Sequence, residues 1–334
     1  MRDHAIDPPI DPPVAQTAPP LSILIVSYNT RALTLACLQS VLDHTATPVQ
    51  IIVIDNASSD GSAAAIRAQF PQIDVIEATE NLGFACANNR AAQVARGEHL
   101  LLLNPDTLLR PGAIDAALRV AKAQPKAGIV GGRSLFPDGR LNPGSCWGRI
   151  TPWSLFCSAI GLTALAPRSR LFNPEGMGAW RRDRDQMVDI VQGSFLLISR
   201  GLWDDLQGFD EAYFMYGEEA DLCHRARALG YRPMITPAAE YVHYAGASSP
   251  KAAAKRIMVA QGRVTLIRDH WVPTLVPVGL ALMWLWAALR RGASALLALI
   301  WPQYHPKAQT WAEVWTARRT WLHGYRSSPH RAGL

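Results

Sequence analysis

The chain has 334 residues, of which 49% are hydrophobic and 18% charged, with a formal net charge of +6. A chain of this size and composition can bury a proper core, either as one large α/β domain with an appendage or as two modest domains. Its five cysteines are neither paired closely enough for a zinc site nor dense enough for a disulfide scaffold, so both are excluded and reduced thiols are expected.

The first twenty residues, MRDHAIDPPIDPPVAQTAPP, are rich in proline and contain no apolar core of the kind that secretory signals carry. We expect residues 1–20 to be a disordered leader rather than a signal peptide.

Strand and helix patterns alternate over the following eighty residues. The apolar run LSILIVSY (21–28) predicts a strand, and apolar residues at helical spacing predict a helix over residues 31–44. The pattern then repeats: VQIIVID ends at Asp55, a helix capped by Ser58 or Ser59 follows, QIDVIEA predicts a third strand, and residues 84–96 predict a third helix. Alternation of this kind predicts an α/β fold with a mostly parallel central sheet.

The run HLLLLN (99–104) contains four consecutive leucines, as is typical of a central strand that is covered on both faces. Pro105 ends it, because proline cannot donate to a strand ladder.

The alternation fades beyond Val130. A loop-rich stretch leads to a strand-like segment at 187–199, and a helix is predicted from residue 218 to 229 with Gly230 as its stop signal, followed by a strand at 231–236. We interpret this part as the side of the protein that binds an acceptor substrate.

The last quarter of the chain is basic and rich in tryptophan. From Lys251 onward there are twelve Lys and Arg residues against two acids, and seven of the eleven tryptophans. The run at 272–289 is apolar but is interrupted by two prolines and closed by Arg290-Arg291, and a second short run ends at Trp301. This pattern favours helices that lie in or re-enter a membrane interface over a spanning helix. A nucleic-acid-binding tail is disfavoured because no reader motif accompanies it, while a helical tail that closes the core, or a dimer interface, stays open.

Polar residues cluster where the predicted strands end. Because ligands of open α/β sheets gather at the carboxyl ends of the strands, this edge is the candidate site, although Asn, Asp and Ser are also common turn formers. The residues at these ends are Ser27, Asn29, Asp55, Asn56, Asn81, Asn104 and Asp106.

Six side chains could carry chemistry, and four of them lie outside that list. Glu218, Glu219 and Asp221 place three carboxylates in one helical turn, where a partly buried one could act as a general base, although acids at helix N-termini are common without function. Asp106 could hold a divalent cation, and His243 could reach the same cation or a diphosphate. Asp55 could accept hydrogen bonds from a nucleotide base or ribose.

The absence of two glycine-rich motifs argues against kinase and dehydrogenase functions. No GxxxxGK[ST] loop occurs, and the one G-x-G, at Gly176 and Gly178, has no third glycine at the required spacing. A sugar-nucleotide-forming nucleotidyltransferase is also disfavoured, because the glycine-rich first loop with a following Arg and Lys is missing.

Taken in order, the segments ILIVSYNT, VIDNASSDGS, ENLGFACANN, LLLNPD, VQGSFLLISR, FDEAYFMYGEEADLCHRARALGY and VHYAGAS resemble the inverting family 2 glycosyltransferases, especially bacterial rhamnosyltransferase-like members. The resemblance covers about residues 21–250 and implies a GT-A fold over that range, with residues 251–334 as a helical, membrane-associating tail. The chain lacks the Gln-x-x-Arg-Trp signature of processive synthases, so transfer of a single sugar is favoured.

The resemblance also implies roles for individual residues. Asp55 would contact the base, and Asp106, in an Asn-Pro-Asp version of the DxD motif, would help to bind Mg²⁺ or Mn²⁺, with His243 as a possible further ligand. Glu219 stands where the family has its catalytic Asp. The remaining donor-side residues implied are Ser27, Tyr28, Asn29, Asn56, Asn81, Gly83, Asn89, Asn104, Gln192 and Gly193.

The implied partners are a nucleoside diphosphate sugar, with dTDP-rhamnose favoured over UDP or GDP sugars, and a polyprenyl-linked saccharide at the cytoplasmic face of the membrane. Nucleic acid is not expected, and a homodimer is possible. The alternative is an inactive, membrane-attached scaffold that binds nucleotide sugars, which the Glu219 replacement permits.

Overall fold

A mixed β-sheet organises the chain in the computed structural model, which describes residues 19–178, 180–244 and 252–325. Within these ranges the strands are β1 Leu21–Ser27, β2 Val49–Asp55, β3 Asp74–Glu77, β4 His99–Leu103, β5 Thr107–Leu109, β6 Ile129–Leu135, β7 Cys146–Trp147, β8 Gln186–Met187, β9 Ile190–Val191, β10 Phe195–Ser199 and β11 Met234–His243. The α-helices are α1 Arg31–His44, α2 Ser62–Gln69, α3 Gly83–Val94, α4 Ala113–Ala123, α5 Pro152–Ile160, α6 Leu162–Leu165, α7 Arg200–Asp205, α8 Glu218–Ala228, α9 Ala252–His270, α10 Val276–Ile300, α11 His305–Thr316 and α12 Arg318–His323.

The strand order is β3-β2-β1-β4-β10-β6-β11-β5, with β8 beside β11 and a separate β7–β9 pair. The α/β class is confirmed, and β1 to β4 are parallel as expected. The sheet is mostly parallel as expected, since β6 and β11 also pair in parallel, and its antiparallel strands in the described ranges are β10, β5 and β8. The chain reaches β10 through a long, irregular connection, which can reverse direction where a βα crossover cannot.

The parallel register brings the strand ends together. Ser27 lies opposite Asp55, and Asp55 lies opposite Glu77, so β1, β2 and β3 end at the same level. This alignment forms the polar edge that the sequence predicts.

The central strands are buried on both faces. Leu24, Ile52 and Leu102 belong to one core cluster, whereas their neighbours Ile25, Val53 and Leu103 belong to the cluster on the opposite face. Successive side chains of a strand point to opposite sides, so an uninterrupted apolar run needs two covering layers. The prediction for residues 99–104 is therefore confirmed.

The predicted N-cap of α2 is wrong. Neither Ser58 nor Ser59 caps α2, which begins at Ser62 after Gly61 with a φ of 77°. Both serines are instead bonded to Asn29, since Ser58 Oγ accepts from its backbone N–H and the backbone N–H of Ser59 donates to its side chain.

The strand-like segment at 187–199 is divided among three short strands, β8, β9 and β10. Their partners differ: β8 pairs with β11, β9 pairs with β7, and β10 lies between β4 and β6 and pairs with both. The last strand, predicted at 231–236, instead begins at Met234 and ends at His243, and it has an irregularity between Thr236 and Glu240.

The tail packs against the α/β part of the molecule. Val264 and Ile267 of α9, Met283 of α10 and Trp321 of α12 are buried in the same core cluster as β1 and β4. Arg263 of α9 also forms a bidentate ion pair with Glu175. The alternative of a tail that closes the core is therefore realised over the described part of the tail.

The two apolar runs of the tail form one helix. α10 continues through Arg290-Arg291 for 25 residues, and Pro273–Ile300 is long and apolar enough to cross a membrane by length and composition, with 17% of its apolar window buried. Arg290 does not simply close a run, since its guanidinium donates to the carbonyls of Ser158 and Ala159 at the end of α5.

Candidate active site

A cavity of about 200 Å³ opens at the carboxyl ends of β1, β4 and β11. Its lining combines strand ends, the loop before α8 and one residue of the tail. The lining residues are Val26, Tyr28, Asn56, Asn81, Gly83, Phe84, Asn104, Pro105, Asp106, Gln192, Gly193, Ser194, Met215, Tyr216, Glu218, Glu219, His243 and Lys255.

Two asparagines shape one wall of the cavity. The Asn56 amide donates to the side-chain oxygen of Asn81 at 2.9 Å and to the Gly83 carbonyl, and its own oxygen accepts from the backbone N–H of Leu82. Asn81 in turn accepts from the backbone N–H of Gly83. These bonds hold the turn that starts α3, so part of the polarity of both residues is used by the protein itself.

Residue 83 must be glycine because it lies directly against the backbone of another segment. Its φ is 76°, and a Cβ at this position would lie 2.3 Å from the carbonyl oxygen of Phe214. The next residue, Phe84, donates its N–H to that same carbonyl. Gly83 does line the cavity, but its close approach is to the 213–217 loop, which it holds against α3.

Asp106 and His243 form a pair at the floor of the cavity. Both side chains are buried, and His243 Nε2 lies 3.2 Å from Asp106 Oδ1. Among the described residues, Nδ1 of His243 has no hydrogen-bond partner. Asp106 follows β4 and His243 ends β11, so the topology of the sheet brings together two residues that are 137 positions apart.

Glu218 and Glu219 begin α8 and are both buried, at 4% and 8% exposure. Burial raises the pKa of Glu218 well above its ordinary value, and the charges of Glu219 and Asp221 raise it further. Burial also raises the pKa of Glu219, although the backbone N–H of Gly217 donates to its Oε2 at 3.3 Å. Two carboxyl groups with raised pKa values in one cavity are typical of a proton-transfer site.

Five of the predicted site residues do not line the cavity. Ser27 is buried beside Thr30 and Thr34, Asn29 holds the Ser58–Ser59 turn, and Asn89 anchors Phe209 through two hydrogen bonds. Asp221 is fully buried and pairs with Arg225 and His270. These four side chains therefore support the elements around the cavity.

Asp55, the fifth, lies at the end of β2 beside the cavity wall. It is 4% exposed, and within the described ranges its Oδ1 has no hydrogen-bond partner. A buried carboxylate oxygen without a donor is costly, so a ligand N–H at this point would stabilise it.

Several lining residues were not predicted from the sequence. Phe84 packs against Gly193, where its ring would lie 3.2 Å from an added Cβ, and Met215 and Tyr216 come from the aromatic stretch before α8. Lys255 comes from the tail. The aromatic stretch was a usable signal, but no local pattern marks Lys255.

The family model for glycosyl transferase family 2 matches residues 22–185. An N-acetylglucosaminyl-diphospho-decaprenol L-rhamnosyltransferase of Mycobacterium tuberculosis is 32% identical over 241 residues, which are 67% of this chain and 76% of the relative. The chain belongs to glycosyl transferase family 2. In this family 2 glycosyltransferase, Glu218, Glu219 and His243 lie beyond the residues that the family model matches.

Two other similarities add to this one. The rhamnosyltransferase WbbL of Escherichia coli is 43% identical over 61 residues, or 18% of this chain and 23% of the relative. The mannosyltransferase PcManGT of Pyrobaculum calidifontis, solved with GDP-Man and Mn²⁺, is 21% identical with a TM-score of 0.55, covering 92% of this chain and 88% of that one. The latter confirms the GT-A type of fold.

The residues present fit a divalent cation that is shared with a ligand. Asp106 and His243 offer a carboxylate and an imidazole side by side, but the described residues contain no group of three or more metal-ligating side chains. Since Mg²⁺ and Mn²⁺ keep several ligands from water or substrate phosphates, two protein ligands are compatible with a site completed by a diphosphate.

Proposed function

We propose that this chain transfers one sugar, with inversion, from a nucleoside diphosphate donor to a lipid-linked saccharide during assembly of bacterial surface polysaccharide. The observation that carries the proposal is one cavity with the Asp106–His243 pair and the buried Glu218 and Glu219. The M. tuberculosis relative is named for transfer of L-rhamnose to a decaprenyl-diphosphate-linked sugar, which supports dTDP-rhamnose as the donor and a polyprenyl-linked acceptor.

The donor would bind along the strand ends. Asp55 would accept an N–H from the base through its unpartnered Oδ1, while the Asn56–Asn81 wall would border the ribose and diphosphate. Asp106 and His243 would hold Mg²⁺ or Mn²⁺, which when bound neutralises diphosphate charge.

Glu219 is the proposed general base. Its carboxylate takes the proton of the acceptor hydroxyl while that oxygen forms its bond to the anomeric carbon and the carbon–oxygen bond to the diphosphate breaks. The raised pKa of Glu219 makes it a stronger base than an exposed glutamate, and its Oε2 is oriented by the backbone N–H of Gly217. One displacement inverts the configuration.

The acceptor would be met at the cytoplasmic face of the membrane, to which the protein is proposed to bind peripherally through its tail. Leu296, Leu299 and Ile300 at the end of α10 are 65–83% exposed, and Trp301 follows them. Exposed apolar residues in a segment with excess Lys and Arg are typical of attachment to an anionic lipid surface.

The test measures nucleoside diphosphate release from dTDP-rhamnose and a panel of UDP and GDP sugars, with Mg²⁺ or Mn²⁺ and a lipid-linked acceptor extract. Wild type is compared with Glu219→Gln and Asp106→Ala, and Glu313→Gln on α11 serves as the control. Acceptor-dependent release that both site variants lose and the control keeps is expected. Tight nucleotide binding by wild type without transfer to any acceptor would contradict the proposal and support the inactive scaffold.

A further inference from the structure

The tail helix α9 lies directly against the loop that precedes the catalytic carboxylates. At Gly262, a Cβ would lie 2.0 Å from the carbonyl oxygen of Tyr216 and 3.5 Å from Cα of Gly217. Only glycine allows this approach, so the face of α9 that carries Gly262 is fixed against residues 216–217.

Lys255 lies on the same face of α9. It precedes Gly262 by seven residues, which is close to two helical turns, so both side-chain positions point the same way. Its Nζ is 5.8 Å from the centre of the Tyr216 ring, and the residue lines the cavity. The packing of Gly262 therefore sets the position at which a lysine of the tail enters the active site.

The charge at this position is distinctive. The lining residues in the described ranges include three carboxyl side chains, Asp106, Glu218 and Glu219, and Lys255 is the one lysine or arginine among them. The lysine is half-buried, where its charge is screened less than at an open surface.

We infer that Lys255 binds a phosphate of a diphosphate-bearing substrate in this cavity, an inference that rests on the proposed function. The Lys255 ammonium would donate charge-assisted hydrogen bonds to non-bridging phosphate oxygens. The diphosphate can belong to the nucleotide donor or to the lipid-linked acceptor, since both carry the same group. In either case the tail supplies part of the substrate site.

Binding measurements separate these two sources without requiring turnover. Calorimetric titrations with UDP, GDP and dTDP, each beside its nucleoside, report the donor diphosphate, and farnesyl diphosphate beside farnesol reports a lipid diphosphate. The variants are Lys255→Gln and Lys255→Arg. Lys307→Gln is a matched control, because Lys307 of α11 also lies 5.8 Å from a tyrosine ring, that of Tyr304, but does not line the cavity.

Lys255→Gln is expected to weaken binding of one class of diphosphate about tenfold, the scale of one charge-assisted hydrogen bond, and to leave the nucleosides and farnesol unchanged. Lys255→Arg should retain most of the affinity, and Lys307→Gln all of it. Wild-type affinity of Lys255→Gln for every diphosphate, an equal loss for the nucleosides, or no binding of these probes by wild type would overturn the inference. If wild type binds the diphosphates in a Lys255-dependent way but transfers no sugar, the proposed function is contradicted and the role of Lys255 is retained.

Discussion

His270, the last residue of α9, bonds to Asp221 in the first turn of α8, with 2.8 Å between Nε2 and Oδ1. The second oxygen of Asp221 accepts from Arg225 Nε at 2.7 Å, and Arg225 also donates to the carbonyls of Leu206 and Gly208. The tail and the helix that carries Glu218 and Glu219 are therefore joined through a fully buried carboxylate.

This relationship predicts that Asp221 supports the structure and does not act on substrate. Asp221→Asn weakens the charged hydrogen bonds to Arg225 and His270 and should lower the free energy of unfolding by about 2 kcal/mol. Urea denaturation measures the loss, and release kinetics below the unfolding transition should show kcat within a few-fold of wild type. Glu219→Gln is the contrasting variant, with kcat reduced at least about a hundredfold and little change in stability. An Asp221→Asn protein of full stability without turnover would show that the structural assignment is wrong.

The burial of Glu218 predicts a pH dependence of stability. Its pKa in the folded protein is well above the ordinary value of 4.5, so the folded state keeps a proton that the unfolded chain releases as the pH rises. The free energy of unfolding therefore falls as the pH increases from about the ordinary pKa through the folded pKa. Glutamine cannot ionise, so Glu218→Gln should gain stability relative to wild type as the pH rises through that window.

Thermal unfolding of Glu218→Gln and wild type at a series of pH values from 4 to 8 measures this difference. Glu313→Gln, at an exposed position of α11, provides the control and should track wild type. A stability difference that stays constant across the series would contradict the expected linkage.

The contact at Gly262 predicts a large effect from one methyl group. Gly262→Ala forces α9 away from Tyr216, and overpacking against backbone should destabilise the protein by about 3 kcal/mol. The same displacement moves Lys255, so affinity for the diphosphate probes should also fall. Gly292→Ala in α10 is the matched control, because nothing lies within 4 Å of the added Cβ. There the expected change is a gain of about 0.5–1 kcal/mol from helix propensity. Equal stabilities of the two variants in urea titrations would argue against the α9 packing described.

The exposed end of α10 predicts binding to anionic membranes. Leu299 is 83% exposed, and Leu299→Glu should reduce recovery with liposomes roughly tenfold, since burial of one leucine contributes about 1.5–3 kcal/mol. Flotation with vesicles of increasing anionic lipid content measures it. Val94→Glu, an equivalent change at a half-exposed position of α3, should bind as wild type does. If the recovery of wild type does not depend on anionic lipid and both variants are recovered equally, membrane binding through α10 is contradicted.

Much of the first half of the fold could be predicted locally. The strands ending at Ser27 and Asp55 and the strand His99–Leu103 are short apolar runs that end at polar or proline residues, and this local pattern was sufficient to predict buried strands. The segment at 187–199 could not be resolved in this way. Its three strands differ in their partners, and strand pairing is a property of the whole sheet.

For the candidate site, the sequence predicted which residue types carry the chemistry but not where the fold places them. The pairing of Asp106 with His243 follows from sheet order, whereas the packing of α8 places Glu218 and Glu219 in the same cavity and directs Asp221, in the same turn, to the tail. Residue types and ordered motifs were enough to identify a family 2 glycosyltransferase and its candidate carboxylates. Tertiary packing decided which carboxylate faces the cavity, why residue 83 is glycine, and that Lys255 enters the site. Each of these depends on backbone contacts between segments far apart in the chain.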